Sequence, residues 1–319
     1  MRALSNIVKR NLSVYIKDKE NVFYTCLSML IIILLMLVFL GDMNIDIVKD
    51  ALRHMDKLMQ ETVLPSESLL PGTRNPALDD TNAKTLVLSL IIAGITIVNG
   101  ISASIGMLSM MSWDEETGKL AGYYVAPISR FILVSGYVIS AIFLSIIFSV
   151  GTVIISEVIL VLTGGTIMSP TLAIKVLGII VLNSFSTTAF LFFITSLART
   201  RSAYNGITTL VNTLSGFITG MYVPIGIMPG IVRNALAFIP MAQGSAWIRK
   251  EFTWDVLNTT FAGLPKEAIT EYCEITGMNL KLGDTVFTPW MQCILLLVSG
   301  VLFMLLSSLM MSKKKVRDR

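Results

Sequence analysis

Residues 85–111 read TLVLSLIIAGITIVNGISASIGMLSMM, 27 consecutive positions without a charged side chain. A helix rising 1.5 Å per residue needs about 20 such residues to cross a hydrocarbon layer ~30 Å thick, so this stretch is long enough to span a membrane. Residues 131–162, FILVSGYVISAIFLSIIFSVGTVIISEVILVL, repeat the pattern with Glu157 as their one charge. A transmembrane barrel would need strands of roughly 10 residues with alternating apolar and polar positions; both runs here are continuously apolar. The rest of the chain agrees. Of 319 residues, 54% are hydrophobic and 14% charged, against roughly 25% charged in soluble domains, and mean hydropathy is +0.73. The sequence therefore predicts an all-α polytopic membrane protein, a single transmembrane domain over 1–319.

Six spans are expected at 22–41, 85–111, 131–162, 172–197, 205–228 and 289–311. Ahead of them, Leu4, Ile7, Val8, Leu12, Tyr15 and Ile16 recur at helical spacing among Arg2, Lys9, Arg10, Lys17 and Lys19, which describes an amphipathic interfacial helix over 1–20 rather than a cleavable signal. An even number of spans puts both termini on one side. That side, with the loops 112–130 and 198–204, gathers fourteen Lys/Arg in about 55 residues, against nine in about 110 on the other. The bias predicts cytoplasmic termini; the expected location is a plasma membrane, of bacterial type. Two segments are then external, 42–83 and 229–288. In the first, Ile45, Val48, Leu52, Met55 and Met59 form a stripe that predicts an amphipathic helix lying against the spans or the headgroups. The second, with Trp247, Phe252, Trp254 and Phe261, is long enough for a small helical or re-entrant cap.

The loop after residue 111 carries the most chemistry. Ser112 and Glu115 have capping-box spacing, and Asp114, Glu115 and Glu116 would favour the positive end of a helix, so a short helix is predicted to start here. Pro127 disfavours helix at Ala126, and Ser129 can cap the span beginning near Arg130. A capped helix between two spans is suited to docking a partner.

Several classes of chemistry are excluded. The one histidine, His54, and three cysteines, Cys26, Cys273 and Cys293, cannot build a His-rich metal site, a His-containing triad or a disulfide framework. The stretch Gly100-Ile-Ser102-Ala lacks the membrane histidine an intramembrane protease would need; its small residues suit close helix packing. Glu157, near the outer interface, is read as a solvated carboxylate, and the basic tail from Lys313 as a lipid-facing anchor with no nucleic-acid role.

The order Glu116-x-Gly118-x-Leu120 followed by Pro127-Ile-Ser-Arg130 resembles the signature between the second and third spans of type-2 ABC exporter permeases. A second match runs from Ser215-Gly216 through Pro224, Met228-Pro229 and Ile239-Pro240 to Trp247-Ile-Arg249, with Phe238-Ile239-Pro240-Met241 where the family commonly has Asn-Pro-Leu. The resemblance covers nearly the whole chain. It implies that the first loop, through Asp114, Glu115, Glu116, Gly118, Leu120, Pro127 and Arg130, couples to two copies of an ABC ATP-binding subunit. ATP and Mg would be bound there, with no cofactor on this chain, which has no G-x-x-x-x-G-K-[ST] loop. It further implies a second permease, as homodimer or sister-chain heterodimer. A substrate route would lie along the second and fifth spans, bearing Thr96, Asn99, Ser102, Asn212, Thr213 and Phe217, with an external gate around Gly216, Pro224, Pro229 and Pro240. Those spans carry no full charge, so the expected cargo is amphipathic or apolar: a drug, an antimicrobial peptide or a lipid-like molecule. The alternative is a membrane sensor or immunity component that binds an antimicrobial without transporting it.

Overall fold

The computed structural model describes residues 2–39, 45–46, 48–50, 52–53, 70, 75–124, 128–162, 167–198, 200–283 and 285–313. The chain begins with α1 (Arg2–Lys17) and, after the joint at Asp18, α2 (Lys19–Phe39). On α1 the residues Ile7, Asn11 and Tyr15 are buried; their spacing of four puts them on one stripe. Gly136 admits that stripe to the bundle, because a Cβ there would overlap Ile7. Tyr15 also hydrogen-bonds Thr25 on α2 at 3.1 Å.

After a 3-10 turn at Pro76–Leu78 comes α3 (Asp79–Glu116), 38 residues long, which at 1.5 Å per residue overreaches the hydrocarbon layer. It is buried on nearly every side along its apolar run, as expected of a helix that is hydrophobic all round. The short α4 (Ala121–Tyr124), then α5 (Arg130–Leu162), α6 (Pro170–Ser196), α7 (Arg201–Ile218), α8 (Gly230–Leu236), α9 (Pro240–Thr260), α10 (Lys266–Ile275) and α11 (Pro289–Lys313) follow, with a two-stranded antiparallel ladder pairing Lys281 with Val286 and Leu282 with Thr285. Helix starts follow local chemistry: Ser169 accepts from Leu172 N ahead of Pro170, and Thr200 accepts from Ala203 N ahead of α7.

Between the helices the contacts are small and hydroxylated. At Gly100 a Cβ would sit 2.5 Å from Ser149 Oγ. Ser104 bonds Thr188 at 2.7 Å, Ser145 donates to Ser184 at 3.0 Å, and Ser186 bonds Ser299 at 2.7 Å. Hydroxyl pairs of this kind hold helices together where lipid gives no hydrophobic drive to associate.

Among the described residues four helices, α3, α5, α6 and α11, are long and apolar enough to cross a membrane. They match the predicted second, third, fourth and sixth spans. The helix α2 covers the predicted first span, 22–41, as far as Phe39; residues 40 and 41 lie outside the described residues. The fifth span is not the single helix 205–228: α7 ends at Ile218, where Gly220 adopts φ 69° and the chain folds back, Met221 N donating to Gly216 O at 2.8 Å. Pro224 and Pro229 then divide 219–229 into a turn and a 3-10 segment before α8. The helical start expected at Ser112 is also different. Ser112 to Glu116 form the last turn of α3, because nothing between Met111 and Glu116 interrupts the ladder; the break comes at Gly118, φ 70°.

The predicted external segments pack together. In the first, Val48 and Leu52 are buried in one apolar cluster with Met29, Leu86, Leu257 and Phe261, so the described part of the stripe packs with the spans and the second segment, while Met55 and Met59 lie outside the described residues. Leu70 N donates to Leu264 O at 2.8 Å and Leu70 O accepts from Gly263 N at 3.3 Å, tying the first segment to the joint between α9 and α10. Of the cap aromatics, Phe252 and Phe261 are buried and Trp254 is exposed.

Candidate functional site

Three groups of residues stand out along the bundle. At the end that carries α1, Asp114 is 1% exposed. Its Oδ2 accepts from Arg10 Nη1 at 2.6 Å and from the Tyr137 hydroxyl at 2.6 Å, and Lys119 Nζ lies 3.9 Å from Oδ1. Acidic side chains at a helix C-terminus oppose the helix dipole, and here the cations answer them. Burial works against the charge of Arg10, but the bond to Asp114 and the neighbouring phenol outweigh it and move that guanidinium's pKa up. Glu116 pairs with Arg201, which also stacks 4.1 Å from the centre of the Trp113 ring. Glu115, Gly118 and Lys119 project from the bundle while Leu120 turns inward onto Ile7, Leu133 and Tyr137. Arg130 opens α5 at the surface, and Pro127 lies outside the described residues.

The second group occupies the middle. Ser102 Oγ donates to Asn212 Oδ1 at 3.2 Å, joining α3 to α7. Thr209, Asn212, Thr213 and Phe217 are exposed along α7. Thr96 and Asn99 are not on that face. Thr96 is fully buried, its hydroxyl donating to Ile92 O at 2.9 Å and its carbonyl accepting from Ser149 at 3.1 Å; Asn99 Nδ2 donates to Thr152 at 3.0 Å. Steps of three residues turn about 60° around a helix, so Thr96 and Ser102 are roughly 120° apart, the first facing α5 and the second α7.

The third group closes the far end. The ring of Tyr222 stacks over Gly216, where a Cβ would overlap it, and meets Phe217 edge to face at 5.3 Å. Pro224 leads into the 3-10 turn, Pro229 precedes α8, and Pro240 is buried in the first turn of α9. Glu157 accepts from Met168 N at 2.9 Å, a structural use consistent with its place near a helix end. Burial pushes the Cys273 thiol of α10 up to about 11. Among the described residues no three His, Cys, Asp or Glu side chains converge to hold a metal.

A family model described as the ABC-2 type transporter matches residues 2–252. The chain belongs to this family. It is a permease subunit of an ABC transporter, and the family works with ATP-binding subunits. The ABC-2 match runs from α1 into α9 and so includes all three groups of residues. No curated protein matches the sequence.

Sequence reasoning had singled out the acidic loop and α7 but missed the partners that organise them in this ABC-2 subunit. Arg10 entered only as positive charge and Tyr137 only as part of an apolar run. The signal was present: three acids at the end of a helix require cations nearby, and a tyrosine in a span requires a partner for its hydroxyl.

Proposed function

We propose that this permease is half of an ATP-driven exporter of amphipathic or apolar cargo, such as a drug, an antimicrobial peptide or a lipid-like molecule. The observation that carries the reading is the exposed face of α7. Thr209, Asn212, Thr213 and Phe217 are exposed along it, with Ser102 as the bonded partner of Asn212, and hydroxyls or amides left against hydrocarbon are costly. Such a face belongs against a second permease, identical or a sister chain, with the transport route along the seam. From Tyr204 to Ile218 no residue is charged, and an isolated charge at a helix centre costs about 2.5–3.5 kcal/mol; a route for strongly charged solutes would carry partners for them.

The exposed turn at Glu115–Lys119 would receive the ATP-binding subunits, two per complex, which hold ATP and Mg. Both termini, α1 and this turn then lie on the cytoplasmic side of a six-span chain in the plasma membrane, with α1 at the lipid interface. Gly216, Pro224, Pro229 and Pro240 form the external gate.

The test is efflux from vesicles holding the permease with its ATPase, with and without ATP, using amphipathic dyes and peptides. ATP-dependent movement of such compounds is expected. Binding without movement would instead favour a sensor or immunity component, and stimulation by small charged solutes alone would overturn the cargo assignment.

A further inference from the structure

Arg249 is the largest fully buried side chain among the described residues, with 1% of its surface exposed. It reaches from α9 into the space between three other elements. Nη1 donates to the Thr276 carbonyl after α10 at 3.1 Å. The same nitrogen lies 2.9 Å from where a Cβ would stand on Gly220, in the turn after α7, and Nη2 lies 3.1 Å from that point on Gly94 of α3. Two positions without side chains therefore make the guanidinium's room. Nε has no hydrogen-bond partner, and among the described residues Arg249 forms no ion pair. Gly94 is four residues, about 6 Å, from the middle of the predicted span 85–111, so the charge is held deep.

A buried cation bonded, among the described residues, to one carbonyl has given up hydration that those residues do not fully replace. Any movement that separates α3, α9, α10 and the turn at Gly220 returns water to it. We propose that Arg249 is a loaded latch: closed, it links the four elements through its shape and its bond to Thr276, while its charge, without an ion-pair partner among the described residues, biases that closure toward opening. It acts as a positioning residue, through the turn that leads from α7 to the external gate, and touches none of the residues assigned to the cargo route. The inference deepens the export reading, on which the sense of the opening rests.

Hydrogen exchange of the full-length protein in lipid nanodiscs tests it without cargo, nucleotide or ATPase, so its outcome is independent of the efflux experiment. The readout is the exchange rate of backbone amides at 216–228 in the wild type, Arg249→Lys, Arg249→Met and Arg249→Gln. Exchange through local opening reports the free-energy gap between closed and open forms. Removing the charge should slow it about fivefold or more, the low end of what one uncompensated buried polar group is worth. Arg249→Lys, which keeps the charge, should stay near the wild-type rate. Equal or faster exchange in the neutral variants would make Arg249 a plain clamp and overturn the proposal. So would slowing in Arg249→Lys to the same degree, which would assign the effect to shape. Failure of both neutral variants to fold would count the same way, because a loaded charge predicts neutral replacements no less stable than the wild type.

Discussion

Arg10 and Asp114 are 104 positions apart in sequence and 2.6 Å apart in space, the carboxylate buried and the guanidinium at the edge of water. The pair fastens the amphipathic α1 to the last turn of α3, and Tyr137 of α5 shares the same oxygen. Breaking a buried pair from one side costs about 3–5 kcal/mol. Asp114→Asn should fall at the low end, since Arg10 keeps 29% of its side chain exposed and can turn to solvent. Arg10→Met should cost more, leaving the buried carboxylate with Lys119 at 3.9 Å as its one remaining cation among the described residues. Tyr137→Phe, which removes one bond to a charged group, should cost about 1.5–3 kcal/mol. Thermal unfolding in detergent gives the order; an Asp114→Asn protein as stable as the wild type would remove the pair from the hold on α1.

How far this arrangement could be read in advance varies along the chain. Continuous apolar runs make α3, α5, α6 and α11 legible, because each needs only length and absence of charge. The joint at Gly220 was harder. Val211 and Ile218 continue an apolar pattern past which Pro224 is the first unmistakable break, and the left-handed turn at Gly220 brings Tyr222 over Gly216, a contact with no local signature. Ser112 and Glu115 show the opposite error. Their spacing suits a helix start, but a capping box acts only where the chain arrives in an extended conformation, and here it arrives already helical. The site was half legible for the same reason: composition identifies polar residues in spans, whereas the side each faces depends on rotation about the axis, which separates Thr96 from Ser102.

Packing between α6 and α9 rests on a missing side chain. A Cβ at Gly244 would overlap the Asn183 amide, so Gly244→Ala should force the helices apart and lower stability by about 1–3 kcal/mol. Gly178 is the control: nothing lies within 4 Å of its Cβ position, and alanine is the better helix former. Gly178→Ala should leave the unfolding midpoint unchanged or raise it. Equal losses at both positions would place the cost in the helices themselves.

Cys273 gives a pH dependence. Burial raises its thiol from 9.0 to about 11, so the folded state favours the neutral form. The stability this contributes is fully present below pH 9 and is lost as pH rises through about 11. Hydrogen-exchange protection of α10 should therefore decline between pH 9 and 11, after correction for intrinsic rates, and decline less in Cys273→Ala. Alkylation of the native protein at pH 8 should spare Cys273 until the cap is unfolded. Rapid labelling of the folded protein would contradict the burial.

The exposed turn after α3 should separate coupling from stability. Gly118 has φ 70°, which proline cannot adopt, and Glu116 is a half-exposed partner of Arg201 whose loss should cost less than about 1 kcal/mol. Glu115→Ala with Glu116→Ala, and separately Gly118→Pro, should lower permease-stimulated ATP hydrolysis severalfold while the unfolding midpoint changes little in the double variant. Unchanged stimulation in both, at equal expression, would detach this turn from the ATPase.

The α7 face supplies the sharpest contrast, because two asparagines that look alike in sequence have different surroundings. Asn212 is exposed and receives the Ser102 hydroxyl; Asn99 is buried and spends its amide on Thr152. If cargo moves along the exposed face of α7, Asn212→Leu should change which amphipathic compounds stimulate ATP hydrolysis, with little effect on the unfolding midpoint, since its side chain lies at the surface of the subunit. Asn99→Leu removes a donor from the α3–α5 interface and forces an alkyl group against Thr152, so it should lower stability by about 1–3 kcal/mol and reduce activity toward all compounds alike. Selectivity changes at Asn99 with stability intact would mean that the route runs between α3 and α5, because only there could cargo reach the buried amide.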